Sequence, residues 1–441
     1  MAGVFASLTN VTSQFSSRNG INVELKHDEL RASEFSVSHN NADGIVIDSA
    51  DPQSTSRLFH LDSCSVHDNR GSGFKVTAAA AITVRNCVIH SNRLDAVTTD
   101  QRQGGSFRLE QSLVYKNQRS ALQVNSDGVY LDSCTIRDHH YGYWWGRRWY
   151  TRELIRVLYN HDKDLAMNVN ITNSELVNNT ADGIHLELDY FGRGPGIRLD
   201  LQNNTFVNTN RTLLAGDQGR RGNSYRTALY INILNNRFLN NFQTTGALIE
   251  IEDENNDYVT IEENVFEGNT VQDLVVIYGP TAQSSASDMV ISTNKFLFNT
   301  ATNAFITLSN YHPLTLRSNV FESNTAPCYL QAPAFRSGDT YEIVDARRNY
   351  WGSGDFVDVM DRVCGFEKNM EHSLIHYIPY YTDRALTTLS PYLQDDFDIQ
   401  GFIGGDLTRD LVFSSTNFQL PVRITISIFI RYNCFLDFLQ D

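Results

Sequence analysis

Three aspartates recur at one position of a repeated phrase, where clustered carboxylates could act on a sugar polymer. They are Asp43, Asp95 and Asp182. Hydrolysis of a glycosidic bond needs two or three carboxylates at fixed separation, and a lyase needs carboxylates for calcium together with a basic side chain. Ser72 and Ser120 interrupt the series, and Gly follows Asp43 and Asp182, which is typical of a turn. We therefore interpret these aspartates as turn residues and assign no catalytic residue.

The densest local cluster of ionisable groups is Asp138, His139 and His140, with His161 and Asp162 nearby. Imidazole and carboxylate groups together can act in general acid–base catalysis. The sequence contains no G-x-S-x-G, H-E-x-x-H or phosphate-loop motif, so nothing supports a covalent nucleophile. We predict a chain without enzymatic activity, and a polysaccharide lyase or hydrolase is the alternative.

A segment unusually rich in tryptophan and arginine, YGYWWGRRWYTRELIRVLYNHDKDL, occupies residues 141–165. In a structural interpretation, Trp144 and Trp145 continue an inward-facing strand and the rest packs as a loop. In a functional one, the segment forms a ligand surface, because aromatic and Arg side chains together are typical of binding hot spots and sugar platforms. The residues that would form this ligand or partner surface are Arg147, Arg148, Trp149, Tyr150 and Arg152.

The six cysteines include no C-x-x-C pair, so we predict no metal site and no cofactor. Cys64, Cys87 and Cys134 occupy one position in the repeated phrase. They fit either an interior stack of small apolar thiols or, for Cys64 and Cys87, a disulfide. Cys328 and Cys364 stand outside that position and could form a disulfide with each other.

Five N-x-S/T sequons are predicted glycosylation sites, although several would arise by chance in a chain with 40 Asn residues. They are Asn10, Asn170, Asn178, Asn203 and Asn210. The first ten residues lack the basic and apolar regions of a signal peptide. The apolar stretch near residues 424–430 is too short to span a bilayer. We expect a fragment of a larger secreted or membrane protein.

A repeated phrase must position all of these residues. In the second half of the chain it contains N-x-F, often followed three residues later by a second Asn, as at Asn236, Phe238 and Asn241. The first half carries the same phrase with other residues, since residues 61–76, 84–99 and 109–124 align without gaps. The apolar residue three positions before the second Asn of each phrase forms a series whose steps lie mostly between 22 and 32 residues. The series is Val37, Val66, Ile89, Val114, Ile136, Leu176, Phe206, Phe238, Phe266, Phe296, Phe321 and Trp351. Each repeat has two or three short alternating segments, which predict strands, and no stretch long enough for an amphipathic helix.

This period fits a coil of three short strands and three turns, so we predict an all-β fold, a right-handed parallel β-helix of about twelve coils. Stacked coils explain the Asn content, because Asn amides bond along a stack and Asn tolerates left-handed turns. We assign residues 1–352 to the β-helix and residues 353–395 to a small α/β cap. The cap includes a short helix near Val357–Cys364 that would cover the last strand edge. Residues 396–441 are assigned to the start of a further β module.

The charge of the chain excludes some partners. With 36 basic and 51 acidic residues, the formal net charge is −15. A surface this acidic argues against binding to nucleic acid and to anionic membrane faces. It would also repel an acidic, pectate-like substrate.

The phased N-x-F motifs, which close on RRNYWG, resemble the right-handed β-helix repeats of carbohydrate-binding and sugar-hydrolysing proteins. Within that class the chain is most similar to the β-helix segments of the invertebrate bark beetle family. The features that carry this similarity are the NYWG closure followed by VDVMDRV (357–363) and by Ile378-Pro379, the insertion YGYWWGRRW (141–149) and the GFIGGDL segment (401–407).

The resemblance implies an extracellular part of a large single-pass membrane protein that organises epithelial cell contacts, including tricellular septate junctions, without catalysis. We therefore expect a scaffold or adhesion module with a protein partner at the cell surface, which could be a second copy of the chain, or with a glycan. The alternatives are a polysaccharide-active enzyme and a glycan-binding β-helix without turnover. Three or more carboxylates, or carboxylates together with arginines, lining one groove within about 10 Å would count against the scaffold and favour polysaccharide chemistry.

Overall fold

The computed structural model describes most of the chain between residues 5 and 391. The ranges inside it that are not described are 26–28, 50–56, 102–103, 140–141, 146–147, 152, 160–165, 181, 189–195, 210–211, 213, 218–228, 253–257, 279–288, 310–313, 334–342 and 366–371. Within the described residues the chain winds into a parallel β-helix whose coils present three faces. Among these residues, no helix has the length and apolar character needed to cross a bilayer.

The strands of each face stack in chain order. The first face comprises Phe5–Thr9, the first parts of Glu29–Ser38 and Arg57–His67, Ala80–Arg85, Ser106–Glu110, Gly128–Asp132, Met167–Thr172, Ile197–Gln202, Leu229–Leu234, Tyr258–Glu262, Met289–Ser292, Leu314–Arg317, Ile343–Asp345 and Leu374–His376. The second face comprises Thr12–Gln14, the last parts of Glu29–Ser38 and Arg57–His67, Val88–His90, Leu113–Tyr115, Thr135–Arg137, Glu175–Val177, Thr205–Val207, Arg237–Leu239, Val265–Glu267, Lys295–Leu297 and Val320–Glu322.

The third face lies on a separate sheet of 13 described strands. It comprises Ile21–Leu25, Ile45–Ser49, Phe74–Val76, Val97–Thr99, Leu122–Val124, Glu153–Tyr159, Asp182–Leu188, Leu214–Asp217, Phe242–Glu252, Thr270–Tyr278, Thr300–Ser309, Cys328–Gln331 and Val363–Cys364. All of its strand pairs are parallel. The fold predicted from the periodicity is therefore confirmed.

The predicted interior series is confirmed residue by residue. From Val37 to Phe321, each member lies directly opposite the next one on the adjacent coil of the second face. The Phe321 ring then stacks on the Trp351 ring with 4.9 Å between centroids. Parallel pairing places equivalent residues of successive repeats directly over one another. A position that is apolar in each repeat therefore becomes a column of buried side chains.

Two turns, here called corners, recur along the β-helix, and the residue at each of them has a positive φ. The first corner separates the first and second faces, and its φ values lie between 47° and 59° at Asn10, Glu34, Ser63, Asn86, Gln111, Ser133, Asn173, Asn203, Asn235, Glu263, Thr293, Ser318 and Arg348. The second corner follows the second face, with φ between 52° and 67° at Phe15, His39, Asp68, Ser91, Lys116, Asp138, Asn178, Asn208, Asn240, Gly268, Phe298 and Ser323. Asn adopts this left-handed conformation more readily than most residues, which explains part of the Asn content.

The residue after each corner turns its side chain into the helix. After the first corner this column contains Phe35, then cysteine and serine, and then changes to Asn at Asn204. The backbone N–H of Cys64 donates to the Cys87 sulfur at 3.2 Å, and that of Ser174 donates to the Asn204 side-chain oxygen at 2.9 Å. Cysteine, serine and asparagine therefore occupy equivalent places in one hydrogen-bonded column.

A short helix α1, Phe356–Arg362, follows the last column and lies at the place predicted from the sequence. The Asp355 side chain accepts hydrogen bonds from the backbone N–H groups of Val357 and Asp358, which caps the helix N-terminus. The strands Val363–Cys364 and Leu374–His376 continue the third and first faces, so parallel pairing extends past residue 352 into the predicted cap. The predicted further module at residues 396–441 lies outside the described residues.

Candidate functional site

The recurring aspartates bind backbone groups of neighbouring coils. Asp43, Ser72, Asp95 and Ser120 lie in successive coils just before the third face. The N–H of Ser72 donates to Asp43 Oδ1 at 2.8 Å, and the N–H of Ser120 donates to Asp95 Oδ1 at 2.9 Å. Asp182 opens its strand of the third face. Asp43 and Asp95 therefore hold adjacent turns together, as their interpretation as turn residues requires.

The Asp138–His139 cluster is split by the fold. Asp138 lies at the second corner, where its carboxylate accepts a hydrogen bond from Arg137 at 3.1 Å. His139 is fully buried in the column of residues that follow the second corner. Its backbone N–H donates to Asn179 Oδ1 at 3.1 Å. The other members of the cluster, His140, His161 and Asp162, lie outside the described residues. Asp138 thus lies at the outer surface of the corner, whereas His139 faces the interior of the β-helix.

The Trp- and Arg-rich segment forms a hairpin separate from the three faces. The strands Gly142–Trp145 and Arg148–Thr151 pair antiparallel, with Trp144 opposite Trp149. Trp144 and Trp145 therefore belong to an insertion and do not extend a strand of the helix. Arg148, Trp149 and Tyr150 share one strand of the hairpin. Arg147 and Arg152 lie outside the described residues.

Four of the described cysteines form two disulfides. Cys64 bonds to Cys87 on the adjacent coil, so the disulfide alternative applies to this pair. Cys328 on the third face bonds to Cys364 on the strand after α1. Cys134 is buried without a disulfide, and burial raises the pKa of its thiol to about 11.

The predicted glycosylation sites differ in exposure. Asn10, Asn178 and Asn203 are exposed and lie at corners with positive φ. Asn170 is half-buried on the first face, and Asn210 lies outside the described residues. Glycosylation at these positions stays a prediction.

A cleft of about 430 Å³ opens along the first corner near the C-terminal end of the helix. Its lining combines two carboxylates, two guanidinium groups, a phenol and hydroxyl groups from five neighbouring coils. The lining residues are Glu262, Glu263, Ser292, Thr293, Arg317, Ser318, Arg348 and Tyr381. The Ser292 hydroxyl donates a 2.5 Å hydrogen bond to the Glu262 carboxylate. The volume falls in the range of small-ligand sites, and this set of groups can hydrogen-bond to sugar hydroxyls.

The cleft brings carboxylates and arginines into one groove, which is a combination that would favour polysaccharide chemistry. Arg317 and Arg348 are exposed, as is Glu263, while Glu262 is half-buried. The repeated phrase could have indicated these residues, because Glu263, Thr293, Ser318 and Arg348 occupy one corner position in consecutive coils. Only acidic residues at the same repeat position were compared in the sequence, so a groove that combines carboxylates with arginines was not predicted.

A second cluster, the histidine ridge, follows the second corner at the N-terminal end. The rings along it are Phe15, His39, His67, His90 and Tyr115, which stack on their neighbours except that His39 meets His67 edge to face. His67 Nδ1 lies 2.7 Å from the Asp68 carboxylate, and His39 Nε2 lies 4.0 Å from the same carboxylate. Burial lowers the pKa of His90, as does the charge of the neighbouring His67.

The histidine ridge was not predicted from the sequence, from which no metal ligand was assigned. One signal for it exists, because the gapless alignment of residues 61–76 with 84–99 places His67 and His90 at one position. His39 does not share that position, since it lies opposite the residue after His67. Only the fold brings these side chains together.

The match to a protein-family model agrees with the architecture. Among solved structures, the A-module of the mannuronan C-5 epimerase AlgE6 from Azotobacter vinelandii is 11% identical, with a TM-score of 0.41, over 74% of this chain and 91% of that one. A search of curated proteins finds no match. The family model described as the right-handed beta helix region matches residues 2–223, which is half of the 441 residues. The chain therefore belongs to the right-handed β-helix family.

Proposed function

We propose that this chain is a non-enzymatic extracellular scaffold or adhesion module of a larger membrane protein, and that it helps to organise cell–cell junctions. The observation that carries the proposal is that the repeated polar side chains form hydrogen bonds between neighbouring coils of the chain. Buried Asn residues and the turn aspartates bind the neighbouring coil, as in the Asn319–Asn349 and Asp43–Ser72 contacts. A chain organised in this way is suited to form a stiff rod that holds surfaces at a fixed separation.

The disulfides support an extracellular location. Disulfides persist in oxidising compartments and are rare in the cytosol. Cys64–Cys87 joins adjacent coils, and Cys328–Cys364 ties the strand after α1 to the third face. The resemblance to the bark beetle family supports the placement at cell junctions.

The partner in this proposal is a protein at the cell surface, and one form of it is a second copy of the chain. The surface proposed for it is the hairpin that carries Arg148, Trp149 and Tyr150, because an inserted aromatic hairpin can be presented without disturbing the stacked coils. Nucleic acid is excluded from the proposal by the net charge of −15.

Bead aggregation tests the adhesive function. Beads coated with the secreted chain should aggregate or bind to epithelial cells, and Trp149→Ala should reduce that binding about tenfold or more, as expected for an interface hot spot. The matched control is Tyr230→Ala, which removes an exposed aromatic ring on the first face. Beads that neither aggregate nor bind cells, or equal losses in the two variants, would contradict the proposal.

The cleft combines carboxylates with arginines in one groove and therefore favours a second candidate, a polysaccharide-active or glycan-binding β-helix. The scaffold is placed first because the two carboxylates, Glu262 and Glu263, are consecutive residues of one coil, whereas two-carboxylate catalysis needs them on either side of the bond that is cleaved. Glu262 and Glu263 could accept hydrogen bonds from sugar hydroxyls, while Arg317 and Arg348 could bind carboxylate or sulfate groups. Turnover of pectin-like or chondroitin-like polymers that is lost in Glu262→Gln but kept in Glu267→Gln would overturn the non-enzymatic proposal. Binding without turnover that is lost in Arg317→Ala would instead identify a glycan-binding module.

A further inference from the structure

We propose that His39, His67 and Asp68 form a binding site for a divalent transition-metal ion such as Zn²⁺, at the second corner of the helix. One ligand atom from each residue lies within 4.8 Å of the other two. His39 and Asp68 are exposed and His67 is half-buried, so an ion can reach the site from solvent. This site goes beyond the proposed scaffold function and does not depend on it.

The chemistry of the donor set selects the class of ion. Two imidazole nitrogens and one carboxylate oxygen suit Zn²⁺, Ni²⁺ or Cu²⁺, whereas Ca²⁺ and Mg²⁺ prefer oxygen ligands alone. In a tetrahedral site with bonds of about 2.1 Å, ligand atoms are about 3.4 Å apart. The contacts to the Asp68 carboxylate, 2.7 Å from His67 and 4.0 Å from His39, lie on either side of that value. Small side-chain rotations would therefore complete three-ligand coordination and leave the remaining position to water.

The fold holds the three ligands in place before any ion binds. The N–H of His39 donates to the backbone oxygen of His67 at 3.3 Å, which ties the two coils together beside the site. The His67 ring is stacked on His90 with centroids 4.7 Å apart, and the His39 ring is stacked on Phe15 at 5.2 Å. Rings packed in this way lose less rotational freedom on binding a metal, which favours affinity.

A bound ion would clip two adjacent coils together. His39 belongs to one coil, and His67 and Asp68 belong to the next, which is itself tied onward through Cys64–Cys87. An ion that binds only the folded chain raises its stability by mass action, so the thermal midpoint should rise with the concentration of Zn²⁺.

Calorimetric titration of the metal-free secreted chain with Zn²⁺ alone tests the site. The expected result is one saturable site, no binding of Ca²⁺, and an affinity reduced about tenfold or more in His39→Asn, His67→Gln and Asp68→Asn. Asn is chosen at residues 39 and 68 because both have positive φ, which Asn tolerates. The matched control is His60→Ala, which removes a histidine of the same strand as His67 outside the cluster and should leave the affinity unchanged.

Thermal unfolding provides a second readout. Zn²⁺ should raise the midpoint of the wild-type chain and of His60→Ala, and raise that of Asp68→Asn by less at the same Zn²⁺ concentration. Absence of Zn²⁺ binding to the wild-type chain would overturn the proposal. The same holds for undiminished binding in the three ligand variants, or for an equal loss in His60→Ala.

Discussion

The side-chain amide of Asn264 donates a hydrogen bond to the side-chain oxygen of Asn294, 3.0 Å away on the next coil. The backbone N–H of Asn264 donates to the same oxygen at 2.9 Å, and Asn294 donates in turn to the backbone oxygen of Ile261 at 2.7 Å. Both Asn side chains are fully buried. The Asn294 amide thus satisfies buried polar groups of the preceding coil, and it donates in turn to the Asn319 side-chain oxygen of the next coil at 3.0 Å.

Substitution Asn294→Ala should lower the free energy of unfolding by roughly 2–6 kcal/mol. It leaves the Asn264 N–H and the Ile261 oxygen without this partner, and each buried group left unsatisfied costs about 1–3 kcal/mol. Urea unfolding followed by circular dichroism measures the change. The control is Asn235→Gly at the exposed first corner, where φ is 54° and glycine fits, so a loss below about 1 kcal/mol is expected. Equal losses in the two variants would show that the buried column is not what stabilises the coils.

The stacked phenylalanines should dominate the stability of the C-terminal half. The Phe266 ring lies between those of Phe238 and Phe296, with centroids 4.7 Å and 4.9 Å away. Phe266→Ala should therefore cost about 3–5 kcal/mol, as large-to-small substitutions in cores do. Phe242→Ala removes the same side chain from an exposed position and should change the urea midpoint little. A small effect at Phe266 would contradict a tightly packed column.

The Cys328–Cys364 disulfide should stabilise the C-terminal end of the helix. The residues are 36 positions apart, and closing a loop of that length in the unfolded chain is worth about 3–4 kcal/mol. The double variant Cys328→Ser, Cys364→Ser should lose about that much in urea unfolding under oxidising conditions. Under reducing conditions, where the wild-type disulfide is also open, the two chains should unfold alike. A difference that persists after reduction would assign the loss to packing instead of the bond.

Asp273 should make the chain less stable as the pH rises. Burial raises the pKa of this carboxyl group, although hydrogen bonds from Thr307 and Asn303 partly oppose the shift. Because the folded-state pKa exceeds the unfolded one, this contribution to stability is complete below the usual Asp value of about 4 and is lost as the pH rises through the raised pKa. Asp273→Asn should therefore be more stable than wild type near neutral pH, and the two should converge in acid.

The opposite sign is expected at Asp345, which provides the control for this pH dependence. A hydrogen bond from Arg347 lowers the pKa of the Asp345 carboxyl group. Its contribution is therefore present above the usual Asp value and lost as the pH falls through the lowered pKa. Asp345→Asn should be slightly less stable than wild type at neutral pH. Urea midpoints that move in the same direction in the two variants would contradict the assignment.

The fold could be predicted because apolar and Asn residues recur at equivalent positions of successive repeats. A residue such as Phe238 must lie over Phe206 if coils stack in parallel register, and the step between them is visible without any structure. The column that passes from Cys64 and Cys87 to Asn349 could be predicted for the same reason. The disulfide within it could not, because a stack of thiols and a bonded pair require the same sequence positions.

The sequence by itself determined the parallel β-helix, its interior columns, the position of α1 and the acidic surface, since these follow from periodicity and composition. The tertiary structure alone decided which side chains meet on the outside of the coils. Coil lengths vary, and a shift of one position, as between His39 and His67, turns a side chain toward a different neighbour. The groove of Glu262 with Arg317 and the ligand set of His39, His67 and Asp68 arise from that three-dimensional stacking, in which residues distant in sequence lie about 4.8 Å apart.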